Sequence, residues 1–166
     1  QARPLIDATR YVKSKLTNYK CIYLSPKGTK VTQKMIVNTA DNDNLIIIAG
    51  RYEGVDQRFI DLEVDEEWSI GDYILSGGEV AACVVIDAVA RMIPGVLGHE
   101  DSNKDESFSN NLLEYPHYTR PEILENMAVP EVLFSGNHEE IRKWREKEAI
   151  SLTNKKRSDL TKKKLS

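Results

Sequence analysis

No stretch of this sequence leaves its backbone fewer choices than "NLIIIAGRYEG", which begins at Asn44: an unbroken apolar run that stops at a glycine. Such a run suits a short strand buried on both faces, and burial on both faces calls for helices above and below a sheet. The neighbouring sequence supplies them. Leu5, Ala8, Tyr11, Val12 and Leu16 recur at helical spacing behind Pro4, and further helices are predicted over residues 31–40, 55–62 and 79–93, the last stopped by Pro94-Gly95. "CIYLSPKG" reads as a short strand broken at Ser25-Pro26, and residues 68–75 as another strand. Helices and strands therefore alternate through the first hundred residues, which predicts an α/β fold with a parallel sheet flanked by helices. In such sheets ligands lie beyond the carboxyl ends of the strands, which brings together the loops at 24–27, 50–54 and 75–78.

Composition narrows the class. Of 166 residues, 40% are hydrophobic and 30% charged, as in an ordinary globular protein. No apolar run approaches the roughly 20 residues of a membrane span, and the first residues do not read as a leader, so the expected setting is the cytoplasm, with no membrane partner. Cys21 and Cys83 each sit in an apolar run without metal-ligand spacing and are expected to be reduced core residues. Although the net charge is -3, residues 141–166 carry ten Lys or Arg against three acids, while residues 1–101 carry eleven against fifteen. A basic end on an acidic body fits contact with a polyanion, and equally a solvated tail. "DSNKDESFSNN" reads as an exposed linker, and the expected division is a body over 1–101, a linker over 102–112 and an all-helical unit over 113–166. In the last, helices are predicted over 122–127 and 138–150, with Asn137 as N-cap.

The loops lack both GxxxxGK[ST] and GxGxxG, and the Gly77-Gly78 turn continues into Glu79, which would repel phosphate while suiting the helix dipole. A glycine pair alone is more often punctuation between strand and helix than a binding loop. Tyr23, Leu24, Ile70, Tyr73 and Leu75 around it suit a flat aromatic base held mainly by main-chain groups.

"YLSPKG", "AGRYEGVDQR", "DEEWSIGDYILSGGEVAACVVIDAVARMIPGVLG" and "LLEYPHYTRPE", followed by "VPEVLFSGNHEEIRKWR", occur in that order. Together they resemble the bacterial tRNA (guanine-N1) methyltransferases of the TrmD type, in the SPOUT class, from Gln1 to about Ile150. The resemblance implies a trefoil-knotted α/β domain that binds S-adenosylmethionine and acts as a homodimer with its active site at the subunit interface. The implied reaction is methylation of guanine N1 at tRNA position 37, beside the anticodon. Tyr23, Leu24 and Pro26 would form one side of the adenosyl site, Gly50, Tyr52, Glu53 and Gly54 the facing side. Ile70, Gly71, Asp72, Tyr73, Ile74, Leu75, Gly77 and Gly78 would complete it. The family also has an earlier stretch, with a first strand and a glycine-rich loop, that has no counterpart here, so the chain reads as truncated at its start.

Methylating guanine N1 requires a base for its proton and a cation for the charge that moves to the carbonyl oxygen. By the family pattern Arg91 would supply the cation. The family's base is an aspartate directly before Ser-Phe; "KDESF" puts Glu106 there and Asp105 one residue earlier, and Glu106 is ranked first. The resemblance leaves Mg²⁺ open as an adjunct. Without it, Arg91 reads as an arginine snorkelling from an apolar helix, and Asp105 and Glu106 as linker solvation. Asp65, Glu66 and Glu67 read as a solvated turn, His99, His117 and His138 as surface or capping residues, and Trp68 and Trp144 as packing. Arg142, Lys143, Arg145, Lys147, Lys155, Lys156 and Arg157 fit contact with a tRNA backbone. The competing readings are an RNA-binding module without catalysis and a different nucleotide-handling α/β enzyme.

Overall fold

A computed structural model describes residues 1–52, 54–96, 106–108 and 110–161. The chain divides into two units, Gln1–Glu100 and Asp101–Ser166. In the first, β1 (Tyr19–Lys30) is the central strand of a parallel sheet, between β2 (Asn44–Ala49) and β3 (Glu66–Ser69). Cys21, Ile22, Tyr23, Leu24 and Ser25 are consequently all buried. The run at Asn44 is a strand, as expected, but an edge one, and most of β2 is only half-buried. Apolarity predicted the strand; its place in the sheet depends on strand order, which apolarity does not encode.

Four helices cover the sheet: α1 (Ala2–Lys13), α2 (Gln33–Ala40), α3 (Gln57–Glu63) and α4 (Glu79–Ala90). The core on one side joins Ile22, Leu24 and Trp68 to Ile36 of α2 and to Ala81 and Val85 of α4. Helix α1 packs on α3, tied by Arg10 and Lys13 to the buried Glu63 at 2.6 and 3.2 Å. Local signals start the helices. Thr32 accepts from the Met35 N–H ahead of α2, and Asp56 from the Arg58 N–H ahead of α3. Hydrogen bonds from the Arg58 side chain and backbone lower the Asp56 pKa to about 2.

Four expectations for this unit are corrected. β1 does not end at Ser25-Pro26; Leu24 and Thr29 both pair with Trp68, so residues 25–28 bulge out of the ladder, where proline forfeits no strand hydrogen bond. The strand predicted over 68–75 is β3, which stops at Ser69. Ser69 Oγ accepts from the Gly71 N–H at 3.2 Å, and Gly71 has φ +151°, so the chain turns there. β3 also takes in Glu66 and Glu67, which are therefore not a solvated turn. Finally, α4 buries only Ala81 and Val85, and Cys83 is exposed instead of lying in the core beside the buried Cys21.

The second unit is built on α5 (His138–Lys156), capped as expected by Asn137, whose Oδ1 accepts from Glu139 and Glu140 N–H at 3.1 and 3.3 Å. Thr153 is fully buried, its hydroxyl donating to Ala149 O at 2.6 Å and accepting from Leu113 N–H at 2.8 Å. A 3₁₀ turn, Glu131–Phe134, precedes α5 and a short α6, Ser158–Thr161, follows it. The helix expected over 122–127 is a hairpin, β4 (Ile123–Leu124) with β5 (Met127–Ala128), so this unit is not all helical. Glu125 and Asn126 both take positive φ, +48° and +65°, as a two-residue type I′ turn requires.

Candidate functional site

The bulge of β1 and the loops after β2 and β3 line one cavity of about 410 Å³. The first, with the β1 residues leading into it, contributes Tyr23, Leu24 and Pro26, and the second Gly50, Tyr52 and Gly54. From the third come Ile70, Gly71, Tyr73, Ile74 and Leu75, followed by Gly77 and Gly78. Asp72 does not line it and pairs instead with Lys30, and Glu53 lies outside the described residues. The sequence reading missed Arg51, Val55 and Glu67, which also line the cavity. Glu67 was concealed by its two acidic neighbours, and only its pairing with Tyr23 across the β1–β3 ladder aligns it with that wall.

Why glycine occupies the turn into α4 is a matter of clearance. The Gly78 N–H donates to Gly50 O at 2.7 Å, and a Cβ on Gly78 would lie 3.0 Å from both Ala49 Cα and Gly50 N. A side chain on residue 78 would therefore force the second and third loops apart by a few tenths of an ångström, against main chain that has little room to give. Arg51 strengthens the closure, its Nε donating to Glu79 Oε1 at 2.5 Å. Glu79 itself is held below the usual carboxylate range by its own backbone N–H first and by Arg51 second. This carboxylate belongs to the loop-to-loop clasp, at the end of α4 where a phosphate would otherwise be favoured.

The cavity is apolar in its depth and unfinished at its rim. Tyr23 is buried, and burial raises its phenol pKa, with an opposing Val55 backbone hydrogen bond and a further upward push from Glu67. Trp68, only 1% exposed and part of the core, also borders the cavity. At the mouth Tyr52 is 93% exposed and Ile74 80%, large apolar surface left to water. These walls suit a planar, uncharged ring system more than a polyphosphate.

Arg91 is the C-cap residue of α4, half-buried. Glu106 is half-buried in the second unit, while Asp105 lies outside the described residues, as does His99. On the second unit, Arg142, Lys143, Arg145 and Lys147 are exposed along α5. The Arg145 guanidinium stands 4.8 Å over the Tyr115 ring, and His117 lies 5.0 Å from that ring while pairing with Glu114 at 2.8 Å. Arg157 is engaged by Asp159 at 2.7 Å. Among the described residues no group of His, Cys, Asp and Glu could hold a metal ion, and no helix is long and apolar enough to cross a membrane.

A family model described as tRNA (Guanine-1)-methyltransferase TrmD matches residues 1–163. A curated relative from Buchnera aphidicola subsp. Schizaphis graminum is 54% identical over 164 residues, covering 99% of this chain and 63% of the relative. Another from Pseudomonas putida is 54% identical, covering 95% of this chain and 64% of the relative. A third, from Marinomonas sp., is 54% identical, with 96% of this chain and 64% of the relative covered. Each is named tRNA (guanine-N(1)-)-methyltransferase. The chain thus spans a little under two thirds of the length of these relatives.

Proposed function

The chain belongs to the tRNA (guanine-1)-methyltransferase TrmD family, and on that premise we propose that it transfers the methyl group of S-adenosylmethionine to N1 of the guanine at tRNA position 37. The observation that carries this reading is the cavity closed by the Gly78–Gly50 contact, apolar in depth and clasped by Arg51 and Glu79. Its walls fit a nucleoside that bears no phosphate. Tyr23, Leu24, Pro26, Gly50, Tyr52, Gly54 and the 70–78 loop would hold the adenosyl group, with Glu53 and Asp72 at its margin. The trefoil knot of the SPOUT class belongs to this reading, as does a division into a catalytic body, a linker over 102–112 and a tRNA-binding unit.

Bound there, S-adenosylmethionine supplies a methyl group already activated on a sulfonium. The protein's own work is positioning and proton management. Glu106, or Asp105 beside it, takes the N1 proton of guanine, and Arg91 holds the negative charge that moves onto the guanine oxygen. Arginine suits that task because it stays charged at any working pH. The reading includes a homodimer, supported by Val80, Val84 and Ile86, apolar side chains that α4 leaves exposed within one chain. It also includes tRNA contact through the basic residues of α5, and action in the cytoplasm, where tRNA is modified.

The test is methyl transfer from labelled S-adenosylmethionine to a tRNA transcript with guanine at position 37, using the full gene product. Arg91→Ala and one of Glu106→Ala and Asp105→Ala should each slow single-turnover transfer about 10²–10⁴-fold. A transcript with adenine at position 37 should accept no methyl group, and adding EDTA reads the effect of Mg²⁺. An intact protein that binds the cofactor but transfers nothing would overturn the enzyme and favour an RNA-binding module.

A further inference from the structure

Glu67 is a polar side chain of the cavity that the mechanism above does not use. It stands on β3 opposite Tyr23, lines the cavity wall, and one of its carboxylate oxygens, Oε1, is buried without a hydrogen-bond partner among the described residues. A carboxylate oxygen withdrawn from water and left unpaired is costly, and native proteins retain few such groups. Neighbouring acids show what pairing looks like here: Glu66 pairs with Lys20 at 2.5 Å and accepts from Trp68 Nε1 at 2.6 Å, and Asp65 accepts from Cys21 N–H at 2.7 Å.

We propose that Glu67 is a specificity residue of this cavity, its buried oxygen accepting a hydrogen bond from the exocyclic amino group of the bound adenine. The inference rests on the reading that the cavity takes an S-adenosyl ligand. Two features favour the base amine over the ammonium at the ligand's other end. Glu67 stands beside the buried Tyr23, where a flat ring is cheaply desolvated. The side chains of Lys27 and Arg51, which also line the cavity, are cations suited to a carboxylate and unfavourable to an ammonium. An ionised carboxylate accepts only, so it distinguishes an amine from a carbonyl at the same ring position. Adenine would be admitted there, and hypoxanthine, which presents a carbonyl oxygen, would be opposed.

The experiment is calorimetric binding to the intact protein of S-adenosylhomocysteine, S-inosylhomocysteine and 5′-methylthioadenosine, comparing wild type, Glu67→Gln and Glu67→Asp, with ligand-free melting curves alongside. Wild type should bind the adenosyl compound about 10–100-fold more tightly than the inosyl one. In Glu67→Gln that preference should collapse or reverse, because the amide can donate to the inosyl carbonyl, while the ligand-free midpoint holds or rises as the unpaired charge is removed. Methylthioadenosine, which lacks the amino-acid end, should lose affinity in Glu67→Gln as S-adenosylhomocysteine does; if its affinity is unchanged, the partner is the ammonium and the proposal fails. Equal discrimination in wild type and Glu67→Gln overturns it too, and means that a water satisfies the carboxylate. If wild type binds none of the three ligands, the S-adenosyl reading falls and this inference with it.

Discussion

Placing one methyl group on Gly28 tests the bulge of β1 over β3. A Cβ there would lie 2.4 Å from Glu67 C and Trp68 N and 2.5 Å from Glu67 O, so the three nearest atoms are all main chain. No rotamer change relieves such a contact, and β1 must lift from β3 by about 1 Å to reach ordinary van der Waals separation. The expected cost of Gly28→Ala is about 3 kcal/mol, the upper end of the over-packing range. At about 4–8 °C per kcal/mol for a unit of this size, the midpoint should fall by about 12–24 °C. Trp68 is the natural reporter, being 1% exposed beside the clash, and a Trp144→Phe background leaves it as the sole tryptophan during urea unfolding. Gly95→Ala is the control: Gly95 has φ +81° with nothing within 4 Å of a Cβ, so only backbone strain of about 1–2 kcal/mol is expected. A Gly28→Ala protein within about 0.5 kcal/mol of wild type, with an unchanged slope against urea, would refute the close approach of the two strands.

Glu63 should make the first unit sensitive to acid. Despite burial, which opposes ionisation, Arg10 and Lys13 hold its pKa below the usual carboxylate range. A folded-state pKa below the unfolded value of about 4.3 means that this stabilisation is present above about pH 5 and lost as pH falls through the folded value. Glu63→Gln should cost about 2–4 kcal/mol at pH 7, less than a fully buried pair because Arg10 is half exposed, and should flatten the pH dependence below pH 5; an unchanged acid limb in urea titrations would count against it. On α4, Val84→Arg should convert a dimer to monomers in sedimentation without lowering their melting point, since Val84 is 50% exposed within one chain. A wild type that sediments as a monomer, or a variant that remains dimeric, would remove α4 from the interface.

Much of the cavity was legible because its determinants are local. Glycines at the carboxyl ends of apolar runs identify loops, and the parallel-sheet rule collects those loops at one end. That logic picked out Gly50, Gly78 and the residues around Tyr73, which do line one cavity. Its failures share a different cause. The bulge over 25–28 is set by a register shift against Trp68, the exposure of β2 by strand order, and the hairpin at Glu125-Asn126 by two left-handed residues without a glycine. Each depends on a partner strand or a backbone conformation that side-chain identity barely signals. Cys83 belongs with them: an apolar helix reads as a core helix, although within this chain α4 buries only Ala81 and Val85.

The three consecutive acids at 65–67 carry this point to the site. As sequence they are one charge run, for which solvation is the default expectation. The structure separates them by the path of the strand. Asp65 and Cys21 exchange two hydrogen bonds, Cys21 N–H to the Asp65 carboxylate at 2.7 Å and Asp65 N–H to Cys21 O at 2.8 Å, which ties the start of β3 to β1. Glu66 lies under Lys20 and Trp68, whose hydrogen bonds keep its pKa low although burial works against ionisation. Both are structural anchors with partners in hand. One residue on, the alternation of the strand turns Glu67 to the side of Tyr23, where no described residue anchors Oε1. Two of the three carboxylates thus find hydrogen-bond partners within the fold, and the third is left at the wall of the cavity lined by Tyr23 and the glycine loops, where a ligand donor would complete it.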